Sequence, residues 1–160
     1  MMYHVNGLPV AYWDAPDFQI ANNSRAGSVA VHHALCEKYG NPGGVYGIST
    51  KPVHMLIREP VARFVSAMKY ARRWGRTEPA TDFLCTSSGE HFQFQYVFAI
   101  KNASLYKFPE HLDRFEKATG LKLRHVNQSF EQFVLTDEEL AAVRKYYSDD
   151  VELFNSIERS

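Results

Sequence analysis

Cysteine is scarce: Cys36 and Cys85 are the chain's two, too few for a disulfide framework or a four-cysteine zinc site, and they fit a reducing interior. No window approaches the ~20 apolar residues a membrane span needs. The opening MMYHVNGLPVAYWD lacks the basic start and apolar run of a secretory signal. These absences lead us to expect a soluble, cytoplasmic protein with no membrane partner. Neither charge sign is in excess, with 18 Lys+Arg against 18 Asp+Glu. Net charge therefore points to no partner, and any anion site must come from local clustering of arginines. A neutral chain without a known nucleic-acid motif gives no reason to expect nucleic acid. The pattern G-x-x-x-x-G-K-[ST] is missing too, which disfavours a small P-loop kinase. There is no internal repeat, low-complexity tract or long linker.

What remains is an ordinary globular composition: 45% hydrophobic and 22% charged residues over 160 positions exclude wholesale disorder and suit one domain, 1–160. Residues 1–14 hold Asn6-Gly7 between β-prone residues, which predicts an N-terminal hairpin. DFQIAN reads as a buried strand, and a helical pattern runs from Gly27 to about Tyr39 before NPGG stops it. VYGIS and VHMLIR read as strands on either side of a Lys51-Pro52 turn. Pro60 opens a helix whose Val61, Phe64, Val65 and Met68 form one buried face. ASLYKF and LRHV are further strand candidates, and Pro109 to Thr119 is a helix with Gly120 just past its end. Thr136 with Glu139 forms a capping box for DEELAAVRKYY, and DDVELFNSI closes the chain. Alternating strands and helices predict an α/β domain, a mainly parallel sheet with helices on both faces.

Ligands of such sheets bind beyond the carboxyl ends of the strands, at helix N-termini. Two strand-to-helix turns carry suitable residues. In NNSRAGSV, Gly27 permits close backbone approach, Ser24 and Ser28 offer hydroxyls, and Arg25 offers a fork of donors suited to phosphate or sulfate. A plain Ser/Gly loop with a solvated arginine is the alternative. In IREPVARFVS, Arg58 ends a strand and Ser66 lies off the buried stripe of the helix, so the two can hold one anion between them. The alternative is a surface serine and a rim arginine paired with Glu59 or Glu90.

The stretch REPVARFVSAMKY resembles the second signature of the phosphosulfate-dependent sulfotransferases: an Arg-x-Pro turn after a strand, then a helix with serine eight residues beyond the arginine. NSRAGSVAVHHAL sits where the family's first signature, Pro-Lys-x-Gly-x-Thr, belongs, with Arg25 for lysine, Gly27 kept and Ser28 for the first hydroxyl. SLYKFPEHLDRFEKATGLKLRHVNQS and LTDEELAAVRKYYSDDVELFNSI are similar to the middle and the closing helices of the carbohydrate-type branch. The resemblance runs from about Asp17 onward. It implies a P-loop-NTPase-like, sulfotransferase-like fold and transfer of a sulfuryl group from 3′-phosphoadenosine 5′-phosphosulfate to an acceptor hydroxyl or amine, carbohydrates among them, without a metal. It also implies that Arg58 and Ser66 hold the donor's 3′-phosphate. Ser24, Arg25, Ala26, Gly27 and Ser28 would wrap the 5′-phosphosulfate, with Arg25 neutralising charge on the bridging oxygen. Unlike lysine, arginine can only stabilise that oxygen and cannot protonate it. A nucleotide-binding protein without transfer activity is the alternative.

A transferring enzyme needs a general base for the acceptor. His91, in a segment similar to a His-aromatic-x-x-Gln piece of that branch, ranks first as a catalytic residue. Glu90, His32 and His33 are alternatives, and His54 is disfavoured by its place at the strand's far end. YARRWGR, Tyr70 to Arg76, either grips a phosphate or an anionic sugar or is a solvated helix end.

Overall fold

The computed structural model describes residues 4–5, 8–9, 12–23, 25–40, 44–45, 51–84, 95, 103–124 and 132–157. Its centre is strand β6 (Val53–Arg58), which alternates buried Val53, Met55 and Ile57 with His54, Leu56 and Arg58. Side chains alternate between faces along a strand, so β6 feeds a hydrophobic layer on each side. It is flanked in parallel by β4 (Gln19–Ala21) and β7 (Ser104–Phe108). Strand β3 (Tyr12–Asp14) runs antiparallel beside β4, and β5 (Gly44–Val45) antiparallel beside β3, giving the order β5-β3-β4-β6-β7. Strands β4, β6 and β7 are thus parallel, and β3, lying between β4 and β5, is the reversed one.

Helix α1 (Ser28–Tyr39) follows β4, and α3 (Leu112–Thr119) follows β7. Both cover one face, where Val31, Ala34, Leu35 and Phe115 pack on Ile20, Leu56 and Phe108. Helix α5 (Ser148–Ser156) covers the other, where Leu153, Phe154 and Ile157 lie with Met55, Ile57 and Ala21. Helix α2 (Pro60–Arg73) packs Phe64, Ala67, Met68 and Ala71 against α4 (Asp137–Tyr146) and a 3-10 turn at Ala80–Phe83. The domain is α/β, with helices on both faces of the sheet.

Local signals explain most of the boundaries. Pro60 opens α2 in the turn where a missing N–H costs nothing. Gly40 and Gly120, both at positive φ, stop α1 and α3. Thr136 and Glu139 exchange capping hydrogen bonds of 3.1 and 2.9 Å at the start of α4. Three expectations are corrected. The N-terminal hairpin ladder, β1 (His4–Val5) with β2 (Leu8–Pro9), stops short of residue 14, because Tyr12–Asp14 pairs with β4 instead. Asn6-Gly7 lies outside the described residues. Of LRHV, Leu123 and Arg124 are not in a strand, and the rest is outside the described residues. The buried stripe of α2 centres on Phe64, Ala67, Met68 and Ala71, with Val61 and Val65 half-buried.

Phe115 is fully buried and meets Tyr106 edge-on at 5.5 Å. Phe115→Ala is expected to lower the unfolding free energy by about 3–5 kcal/mol, read from urea denaturation followed by circular dichroism; a loss below about 1 kcal/mol would contradict this packing.

Candidate functional site

The two turns singled out in the sequence leave the carboxyl ends of neighbouring parallel strands, β4 and β6. They meet. Arg25 donates from Nε and Nη2 to the Ser66 hydroxyl at 3.2 and 3.1 Å, across 41 positions of sequence. Arg58 donates from Nη1 to the Arg25 carbonyl at 3.1 Å. The Arg25 guanidinium also lies over the Tyr70 ring, 5.1 Å from its centre, and Arg58 lies 5.6 Å from that of Phe108. Ser66 and Tyr70 are one helical turn apart on α2, so one flank of that helix receives Arg25. Arg58 and Ser66 are joined through Arg25 rather than by a bond of their own.

Backbone conformation sets this arrangement. Arg25 has φ 64° and Gly27 φ 80°. A Cβ on Gly27 would stand 2.7 Å from Cε2 of Phe108, the last residue of β7. Only glycine allows both the left-handed turn and the close approach. Gly27 is the N-cap of α1 and brings no capping side chain, and the first turn carries no acidic residue. At α2 the opposite holds. The Glu59 carboxylate accepts from the N–H groups of Val61 (3.1 Å) and Ala62 (2.8 Å). Glu59 therefore caps its own helix instead of forming an ion pair with Arg58. Of the two helix N-termini at the site, α1 is the one left suited to an anion.

Behind the arginines lie buried amides that sequence reasoning did not single out. Asn23 Nδ2 donates to the Leu56 carbonyl (2.9 Å) and to Gln95 Oε1 (2.7 Å). The same Gln95 oxygen accepts the Arg58 N–H (2.9 Å), and Gln95 Nε2 donates to the Arg58 carbonyl (2.6 Å). Asp150, fully buried in α5, accepts the Gln95 backbone N–H at 2.8 Å. Asn23 Oδ1 is buried with no partner. The one available signal for Gln95 was its place in the His-aromatic-x-x-Gln piece; Asn23 and Asp150 read as ordinary turn and helix-start residues.

Positive charge is concentrated here. Burial lowers the pKa of Arg58, and neighbouring Arg25 lowers it further, against the pull of Glu59 and Glu110. Burial is also the main cause for Arg25; Tyr70 opposes it and Arg73 adds to it. Arg63, 2% exposed on α2, is pushed down to about 10, chiefly by burial, with Tyr147 and Asp150 opposing and Arg25 and Arg58 adding to the fall. All three stay cationic near neutrality. Among the described residues, no carboxylate lies within ion-pair distance of Arg25 or Arg58. Two half-buried guanidiniums, neither in an ion pair with a described carboxylate, give the site a positive potential that Glu59 and Glu110 partly offset, which suits a phosphate or sulfate group.

Ala26 is buried in the turn, with its N–H on the Asn23 carbonyl at 3.2 Å, and Ser28 is the first residue of α1. Ser24, Glu90 and His91 lie outside the described residues. No described histidine is placed as a base at Arg25. His54, the second residue of β6, lies about 13 Å of strand from Arg58 and bonds the Tyr106 hydroxyl at 2.9 Å. His32 faces Trp13, ring centres 5.5 Å apart, and His33 is exposed. His111, buried at the foot of α3, accepts the Lys107 N–H at 3.2 Å. Of YARRWGR, Tyr70 belongs to the site. Arg72 and Arg76 lie instead over Phe133 and Phe83, and Arg76 pairs with Glu78 at 3.0 Å.

No protein-family model, curated protein or solved structure matches the chain.

Two outcomes follow from this geometry. Gly27→Ala adds about 1–2 kcal/mol of left-handed strain and a further 1–3 kcal/mol of overpacking against Phe108; its denaturation midpoint falls accordingly, and an unchanged midpoint would exclude the close approach. His54 has its pKa lowered from 6.5 by burial. The unfolded chain therefore takes up the proton first, and stability declines as pH falls below 6.5. His54→Gln is expected to flatten that part of the acid limb in a series of thermal melts, whatever its offset at neutral pH.

Proposed function

We propose that this protein binds a 3′-phosphoadenosine nucleotide at the Arg25–Arg58–Ser66 cluster and transfers a sulfuryl group from 3′-phosphoadenosine 5′-phosphosulfate to an acceptor hydroxyl or amine. The observation that carries the reading is the contact of Arg25 with Ser66, with Arg58 on the Arg25 carbonyl. It unites, at two adjacent strand ends, the residues that the sulfotransferase signatures single out separately. Support also comes from the lack of carboxylate partners for both guanidiniums among the described residues.

In this reading Arg58 and Ser66 bind the 3′-phosphate, and the α1 N-terminus with Gly27 and Ser28 faces the 5′-phosphosulfate. The acceptor oxygen or nitrogen attacks sulfur while the bond from sulfur to the bridging oxygen breaks. The acceptor's proton passes to a base, with His91 as the candidate. The 3′,5′-bisphosphate leaves carrying the bridging oxygen, whose growing negative charge Arg25 offsets. Arg25 works by position and charge alone, since a guanidinium keeps its protons near neutrality.

A second reading, nucleotide binding without transfer, is favoured by one observation. Arg25 directs both Nε–H and Nη2–H at Ser66, and it cannot protonate a leaving oxygen. Labelled phosphosulfate with a panel of acceptor sugars separates the two, because only the first reading moves label to an acceptor.

For either, thermal melts with 3′,5′-adenosine bisphosphate, ATP and 5′-AMP are the direct test. The bisphosphate alone is expected to stabilise strongly, by about 2.7 kcal/mol at a hundredfold excess over Kd. Arg58→Ala, with an unchanged circular dichroism spectrum, is expected to remove the shift. Equal shifts with all three nucleotides, or an undiminished shift in the variant, would overturn the assignment.

A further inference from the structure

Between β4 and β6 the parallel ladder ends early. Pairing runs through Gln19↔Val53 and Ile20↔His54 and then stops. The Pro52 carbonyl points at β4, where it accepts the Gln19 N–H at 2.9 Å. N–H and C=O of alternate residues point to the same side of a strand, so Leu56 and Arg58 also present theirs toward β4. Past Ile20, no β4 backbone meets them. Two side-chain amides take its place: Asn23 Nδ2 binds the Leu56 carbonyl, and the Gln95 amide binds both the N–H and the carbonyl of Arg58. Gln95 is 0% exposed. Its amide therefore acts as a surrogate peptide group, continuing the sheet where β4 turns away to form the Arg25 loop.

From this we infer that Gln95 is a positioning residue, which holds the Arg58 strand end and the Arg25 loop at the separation the anion site needs. A single atom joins the two turns, because Gln95 Oε1 accepts from both Arg58 N and Asn23 Nδ2. Asn23 in turn holds the loop through the Ala26 N–H on its carbonyl. The Gln95 main chain is tied independently to Asp150 of α5, so the amide is fixed from the opposite face of the sheet. Removing the amide frees both turns at once and leaves the hydrophobic layers on either side in place. The role of Gln95 in nucleotide binding rests on the function proposed above; its role in setting the two arginines does not.

The test compares wild type, Gln95→Met, Gln95→Glu and, as a control for general loss of stability, Val143→Ala in the α2–α4 cluster. All are studied at a temperature where circular dichroism shows them folded. The first measurement needs no nucleotide: phenylglyoxal modification of Arg25 and Arg58, followed by peptide mass spectrometry. Gln95→Met is expected to alter the modification rate of both arginines, and Val143→Ala to leave both at the wild-type rate. The second is titration with 3′,5′-adenosine bisphosphate, where Gln95→Met is expected to weaken binding by about tenfold or more and Val143→Ala to keep the wild-type Kd.

Gln95→Glu supplies the rescue. A protonated carboxyl can donate to the Arg58 carbonyl and accept from its N–H as the amide does, whereas a carboxylate cannot donate. Its affinity relative to wild type is expected to recover at about pH 5.5 and to fall at about pH 8. If Gln95→Met folds poorly, this pH-dependent ratio decides alone. The inference is overturned if arginine modification is unchanged in Gln95→Met, or if Val143→Ala alters it as much. It also fails if the Gln95→Glu ratio is flat with pH. Should wild type fail to bind the bisphosphate, the proposed function falls while the modification rates still decide the role of Gln95.

Discussion

Two half-buried guanidiniums at neighbouring turns, neither ion-paired with a carboxylate among the described residues, are the constraint around which the candidate site is organised. Bringing like charges together out of water is unfavourable, and the fold offsets this with neutral acceptors. The Ser66 hydroxyl takes two N–H bonds from Arg25, and the Arg25 carbonyl takes one from Arg58. Aromatic rings of Tyr70 and Phe108 lie against the flat faces of the cations. None of these partners is negatively charged, so the positive potential survives for use. An anion entering the cluster would relieve the repulsion, which makes binding and stability two sides of one electrostatic balance.

That balance depends on which strands of the sheet stay paired beside the site. β6 and β7 stay paired up to Arg58 and Phe108. β4 leaves the ladder after Ile20, and the amides of Asn23 and Gln95 meet β6 beyond that point. Asn23 and Gln95 give the Leu56 carbonyl and the N–H and carbonyl of Arg58 partners, and a buried peptide group without a partner costs about 1–3 kcal/mol. Among the described residues, Asn23 Oδ1 is a buried acceptor without a partner. An unsatisfied buried atom thus lies beside a cluster of like charges at the candidate site.

The helices divide the work. Glu59 closes the N-terminus of α2 with its own carboxylate and raises the pKa of neighbouring Arg58 a little. Gly27 leaves the N-terminus of α1 without a side-chain cap, held against Phe108. One helix end is thus closed by a carboxylate and the other carries no side-chain cap. Helix α5 reaches through the buried Asp150 to the main chain of Gln95, so the last helix of the chain is coupled to the site without touching either arginine.

Much of this was written locally in the sequence. Pro60, the glycines ending α1 and α3, and the Thr136–Glu139 capping box act within a few residues, so one stretch of chain specifies each of them. The alternation of β6 and the glycine of the Arg25 turn are legible for the same reason. Spacing alone left open whether Arg58 pairs with Glu59 and where Arg25 points, and it assigned Tyr12–Trp13 to the N-terminal hairpin although they pair with β4. The site itself was decided by contacts between segments distant in sequence: Arg25 with Ser66 across 41 positions, Asn23 with Gln95 across 72, and Gln95 with Asp150 across 55. A capping residue or a turn glycine acts through its own backbone, whereas a hydrogen bond between remote side chains exists only once the sheet has brought its strand ends together.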